Sequence, residues 1–159
     1  GGTVPQAKAW AGLLSGLGAI TGCLAGAWAG GRFGRRVTYF GMCLGSLASC
    51  ALLFRGGLAY GTGFLALSFL VGAMTASFFG WLPLYLPELF PTRVRATAQG
   101  LAYNAGRILA AVGALQMGAL MRQFNGSYAQ AGAVITLVYV AGLALIWFAP
   151  ETKGQPLPE

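Results

Sequence analysis

The sequence predicts an all-α membrane protein, a bundle of five transmembrane helices. Three observations carry this. Hydrophobic residues make up 57% of the chain and charged residues 8%, against roughly 25% charged in a soluble domain. The charges fall in short clusters between long uncharged runs. Those runs approach the about 20 residues that an α-helix needs to cross a bilayer, and they lack the polar/apolar alternation of a transmembrane strand. The net charge of +7 does not signal nucleic acid, because the basic residues are dispersed at run ends, where a membrane protein places them. The bilayer is therefore the first expected partner.

Charge-free runs set the spans at about 6–29, 37–54, 60–86, 97–121 and 127–149, followed by a tail over 150–159, the whole forming one domain over 1–159. Gly18, Gly22, Gly26 and Gly30 in the first span follow a four-residue spacing, with Gly12 and Gly16 before them. Small residues so spaced let two helix backbones approach closely, which predicts a first helix inside the bundle. Gly41 and Gly45 repeat the spacing in the second span. The third span holds Met74, Phe78, Trp81 and Tyr85 on one face, with Ser68, Gly72 and Thr75 beside it, and Pro83 is expected to bend it. The stripe is either a wall for a substrate ring, with Thr75 beside it, or helix packing plus an interfacial aromatic belt.

The fourth span is broken by one charge, Arg107, about 11 residues in. At 1.5 Å per residue this is roughly 16 Å deep, near the bilayer midplane. A cation there costs about 2.5–3.5 kcal/mol on insertion scales and normally faces a cavity or a partner. Its helical neighbours Gly100, Tyr103, Asn104, Ala110, Ala111 and Ala114 make a small or polar face. Arg107 is thus a candidate anion binder assisted by Asn104 and Tyr103, or else a structural arginine bonded to helix carbonyls.

Cys23, Cys43 and Cys50 lie in apolar runs, without the spacing of a disulfide framework or a metal site. With no His, no Asp and no paired acids, the spans carry no catalytic constellation and imply no cofactor or metal; an enzyme is not expected. If transport is coupled to protons, the titrating acid is expected elsewhere in the protein. The start, Gly1-Gly2-Thr3, shows no signal-peptide pattern, and the expectation is a piece of a longer protein.

Three motifs lie at run ends: Gly30-Gly31-Arg32-Phe33-Gly34-Arg35-Arg36, Pro87-Glu88-Leu89-Phe90-Pro91-Thr92-Arg93-Val94-Arg95, and Pro150-Glu151-Thr152-Lys153-Gly154. The prolines of the second are expected to stop a helix. In this order the motifs resemble the major facilitator superfamily: the loop between helices eight and nine, the loop between helices ten and eleven of sugar-porter-like members, and the tail after helix twelve. The resemblance covers essentially the whole chain and implies the C-terminal half of a two-half carrier, helices eight to twelve, working by alternating access with a missing N-terminal half. It further implies a cytoplasmic ion cluster that holds a gate closed, made of Glu88 with Arg35 and Arg95 and flanked by Arg32 and Arg36. The loop motif has Gly31 where the family usually has an acid, which weakens that latch. Gly80-Trp81-Leu82-Pro83-Leu84-Tyr85 departs from the sugar-porter pattern, and Tyr103-Asn104-Ala105-Gly106-Arg107-Ile108 looks more like members that carry organic acids or sialic acid.

The expected substrate is a small organic carboxylate carried by a symporter-like protein, with Arg107, Asn104, Tyr103, Trp81, Phe78 and Thr75 as candidate contacts. A sugar carrier of the same superfamily and a non-transporting assembly subunit are the alternatives. The expected location is a bacterial inner membrane.

Topology follows from the loops. Arg32, Arg35 and Arg36, then Arg93 and Arg95, outweigh the single Arg55 and Arg122 of the alternate loops. The positive-inside rule puts the first and third loops and the tail in the cytoplasm and the start of the chain outside. Single cysteines placed in each loop of a cysteine-free background should react with an impermeant thiol reagent only in the loops of Arg55 and Arg122. Labelling of the Arg32–Arg36 loop from outside whole cells would overturn the assignment.

Overall fold

The structure is a computed structural model that describes residues 4–159, all of whose regular elements are helical. In chain order these are α1 (Val4–Phe33), α2 (Arg35–Arg55), α3 (Thr62–Leu89), α4 (Arg95–Gln123), α5 (Tyr128–Ile135) and α6 (Val138–Leu145), with a 3₁₀ turn over Ile146–Phe148. Only Thr136 and Leu137 separate α5 from α6. Thr136 Oγ1 donates to the Ala133 carbonyl (2.8 Å), and Leu137 N–H bonds three rather than four residues back, to Val134 (3.1 Å). The helix tightens there without turning away, so Ala129–Phe148 counts as one apolar span.

α1 and α3 form the closest pair. A Cβ on Gly18, Gly22 or Gly26 would collide with the backbone carbonyls of Phe69, Ala73 and Ser77, respectively; one on Gly72 or Gly80 would strike those of Ser15 and Cys23. The contacts on both helices ascend together along the chain, so the two helices run parallel, and α2 is the return that connects them. Opposite this stripe, α1 turns Trp10, Leu13, Leu17, Ile20, Leu24 and Trp28 outward. Apolar side chains at three- and four-residue spacing on an outer face suit lipid. Gly45 follows the same logic against the Met74 side chain, but Gly41 faces open space, so the second-span pair is not a single contact surface.

The core gathers where α2, α3 and the 3₁₀ turn after α6 meet: Met42, Trp81, Tyr85 and Ile146 are buried, with Tyr39, Phe40 and Phe78 packed on them. Tyr39 lies 4.9 Å from Trp81 and Trp81 lies 4.6 Å from Tyr85, ring centre to ring centre. Contrary to expectation the helix does not stop at Pro87 but runs through Pro83 and Pro87 to Leu89. Proline lacks an N–H, which frees a carbonyl one turn earlier but need not end a helix. Pro91 does end it, by forcing Phe90 into an extended conformation (φ −123°, ψ 137°).

α4 differs from the other spans. Among the described residues, four segments are long and apolar enough to cross a membrane: Gln6–Phe33, Arg35–Arg55, Thr62–Leu89 and Ala129–Phe148. α4 has the length, 29 residues, but Gln99, Asn104, Arg107, Gln116 and Arg122 dilute its hydrophobicity. None of its residues is buried. It is fixed at its ends, by the α3–α4 turn and by a turn at which Gly126 N–H bonds the Met121 carbonyl (2.7 Å) with Gly126 at φ 81°.

The glycine contact makes a sharp prediction. Gly22→Ala and Gly80→Ala should each lower stability by about 1–3 kcal/mol, the usual cost of overpacking. Gly12→Ala, whose Cβ would meet nothing within 4 Å, should melt like the parent protein. Thermal unfolding in detergent distinguishes them.

Candidate functional site

Two places concentrate polar chemistry. The first lies where the α1–α2 turn, the end of α3 and the tail converge. The turn needs Gly34, at φ 99°, a conformation that costs an L side chain dearly. The next residue, Arg35, is 8% exposed. Its Nε donates to Glu88 Oε2 (2.8 Å), its Nη2 to Glu88 Oε1, and its Nη1 to the Gly30 carbonyl. This is a two-point arginine–carboxylate pair, the geometry that planar guanidinium recognition favours. Trp81 Nε1 donates to the Arg35 carbonyl (3.1 Å), and Thr152 Oγ1 donates to Glu88 Oε2.

A second carboxylate enters from the tail. Gly34 gives α2 no side-chain cap, and Glu151 does so instead: it accepts from Arg35 N–H (2.8 Å), Arg36 N–H (3.0 Å) and Lys153 N–H (3.1 Å). An acid at a helix N-terminus satisfies orphan donors and faces the positive end of the macrodipole. Burial alone would raise the Glu151 pKa, but these three backbone donors and the nearby Arg35 cation hold it below the ordinary carboxylate value. The tail is pinned further by Tyr85 Oη donating to the Pro150 carbonyl (2.8 Å), Arg36 Nε to that of Ala149, and Lys153 Nζ to that of Arg32 (2.7 Å).

The expected cluster is therefore redistributed. Arg35 meets Glu88, but Arg95 does not. Its Nε donates to the carbonyls of Pro87 (3.0 Å) and Phe90 (3.1 Å), and its Nη2 to that of Pro158 (2.8 Å). The freed carbonyls at the end of α3 attract the guanidinium, as helix C-termini attract cations generally. Arg36 reaches a carbonyl, and the Arg32 guanidinium is exposed and has no hydrogen-bond or ion-pair partner among the described residues. The role of Glu151 went unseen in the sequence; the signal was a glycine N-cap with no acid of its own nearby.

The aromatic candidates also separate. Trp81 is 2% exposed with its indole N–H already bonded, so it serves the packing around Arg35 and offers no open ring face to a substrate. Phe78 stacks on Tyr139 (6.0 Å, 18°), and Thr75 Oγ1 bonds back to the Val71 carbonyl (2.7 Å).

The second place is the middle of α4. Arg107 is exposed and lies 5.9 Å from the Tyr103 ring centre, a cation–π distance. No hydrogen bond or ion pair engages its guanidinium among the described residues. Asn104 Nδ2 donates to the Gly100 carbonyl (2.8 Å), leaving one amide N–H free. Hollows flank this stretch. One of about 550 Å³ lies between α3 and α4 beside Gly100 and Tyr103; the other, about 1030 Å³, lies between α4 and the α2 and α5–α6 helices beside Gly106, Ala110 and Ala114.

Residues 4–159 match the profile of the family described as sugar (and other) transporters. The chain belongs to that family. This sets it in the major facilitator superfamily that its loop motifs resemble. Among its relatives is a protein of Cupriavidus pinatubonensis named "Probable 4-methylmuconolactone transporter", 36% identical over 55% of this chain and 20% of its own length. Proteins named for metabolite transport in Haemophilus influenzae (29% identical, 87% of this chain, 34% of the relative) and Bacillus subtilis (28%, 98% and 34%) are similar over most of the chain. The chain thus spans between a fifth and about a third of the length of these relatives.

The tail contact predicts a pH response. A carboxylate with a depressed folded-state pKa stabilises its contact fully above the ordinary value of 4.5, and that stabilisation disappears as pH falls through the lower folded-state value. A spin-label pair between the tail and α1 should stay close at neutral pH and separate only below pH 4.5. Glu151→Ala should show the separated distance already at neutral pH.

Proposed function

We propose that this chain is the helix eight-to-twelve portion of an alternating-access carrier, and that its substrate is a small organic carboxylate held by Arg107. The observation that carries this is the Arg107 guanidinium near the middle of α4, without a hydrogen-bond or ion-pair partner among the described residues, close in sequence to residues that line two hollows, Tyr103 and Gly106. Within a bilayer an unpaired cation is costly. A carboxylate supplies the missing charge and accepts two parallel hydrogen bonds from the guanidinium fork. The remaining Asn104 N–H and the Tyr103 hydroxyl sit one turn back and provide neutral donors. The relative named for 4-methylmuconolactone transport supports a small organic solute. The family description supports a neutral sugar as the second reading, in which Asn104 and Tyr103 make the contacts and Arg107 does not.

In this reading, the rest of the carrier lies outside the chain, and substrate sits between the two halves near the midplane. The Arg35–Glu88–Thr152 cluster closes the cytoplasmic side, and the loops of Arg32–Arg36 and Arg93–Arg95 face the cytoplasm. Trp81 buttresses that closure and does not touch substrate.

The test is uptake and binding by the full-length transporter. Arg107→Ala should weaken carboxylate binding roughly ten- to a hundredfold, the range for losing a hydrogen bond to a charged group. Arg107→Lys should fall nearly as far, since an ammonium lacks the planar fork. Neutral analogues should bind the parent poorly. A folded Arg107→Ala variant with parental affinity would exclude the carboxylate reading; tight binding of a neutral sugar by that variant would establish the second.

A further inference from the structure

The charge cluster and α4 leave one built feature unused: a hollow of about 410 Å³ between α1, α2 and α3. Its walls are Thr21, Ala25 and Ala29 of α1, Val37 and Gly41 of α2, and Ala73 of α3. These residues are small or apolar, and the cavity is open to the exterior of the bundle. A stripe of small residues is not by itself a site, but Thr38 also lines the hollow. It is 6% exposed, and its hydroxyl has no hydrogen-bond partner among the described residues. A buried polar atom left unpaired costs about as much as a lost hydrogen bond, so the hollow has an apolar wall and one unmet polar demand.

Charge supplies the third element. Arg32 lies three and seven residues beyond Ala29 and Ala25, on the same face of α1. Among the described residues its guanidinium is unpaired, whereas Arg35, Arg36 and Arg95 all have acceptors. The order along the hollow follows from helix direction. Phe33 lines it at the α1–α2 turn, with Arg32 the preceding residue and outside the lining; Thr38 lies one turn into α2, and Gly41, Ala25 and Thr21 lie deeper. A cation, then a hydroxyl, then an apolar channel is the order of a phospholipid's phosphate, ester and acyl chain.

We propose that this hollow holds one acyl chain of an anionic phospholipid, with its phosphate on Arg32 and an ester carbonyl accepting from Thr38. Basic pockets between transmembrane helices recognise acidic headgroups in this way. The site is separate from Arg107 and does not depend on what the carrier moves.

Native mass spectrometry of the full-length protein, with phosphatidylglycerol and phosphatidylcholine of matched chains, tests it. The parent should retain phosphatidylglycerol preferentially. Arg32→Gln should reduce that retention about fivefold, the value of one basic residue at an acidic surface, and lower that of phosphatidylcholine less, because its choline offsets the phosphate charge. Gly41→Leu, whose side chain enters open space, should fill the hollow and lower retention of both lipids. Unchanged headgroup preference in Arg32→Gln overturns the proposal, as does unchanged lipid retention in Gly41→Leu. A lower melting temperature in Gly41→Leu with lipid retention intact also overturns it, and assigns the hollow to another segment of the same protein.

Discussion

The backbone contact between α1 and α3 constrains everything else. Glycines on both helices let carbonyls of one approach the Cα atoms of the other, where no side chain can intervene. In lipid, hydrophobic burial gives two apolar helices no reason to associate, and close packing takes its place. With α1 and α3 locked in parallel, Gly30 stands over Trp81, and the Arg35 guanidinium can reach Glu88 and the Gly30 carbonyl together. The polar cluster is thus a consequence of helix register. Its acids are few: the chain has three, and one of them, Glu159, is the terminal residue. Glu88 neutralises a side chain and Glu151 a helix terminus, so each serves a different kind of positive charge.

The sequence made the helical architecture legible because uncharged runs and glycine spacing are local properties. The Arg35–Glu88 pair was also legible, since Glu88 is the one acid among the loop arginines. Arg95 was not, because its partners are carbonyls that become available only once α3 runs through Pro87 to Leu89. Glu151 was not, because its role depends on the tail returning across the bundle to an uncapped helix start. The aromatic stripe on α3 was correctly seen as one face, but which neighbour it meets is a tertiary fact. Trp81 and Tyr85 turn to the Arg35 carbonyl and the tail, and Phe78 to Tyr139. α4 was read by charge frequency as a span like the others; counting its amides as well would have shown it to be the most polar of them.

The end-supported α4 has a mechanical corollary. Its first turn hangs from Arg95, which grips the end of α3 and the tail carbonyl of Pro158 at once. Its far end is tied through the glycine turn to α5, and no residue between is buried. Such a helix is a beam held at two supports and unloaded along its length. Force applied at mid-beam, where Arg107 stands, is carried to the supports rather than absorbed by neighbouring side chains. One support is the joint where α3 and the tail meet and the other is the glycine turn to α5, so a pull on the guanidinium reaches both joints.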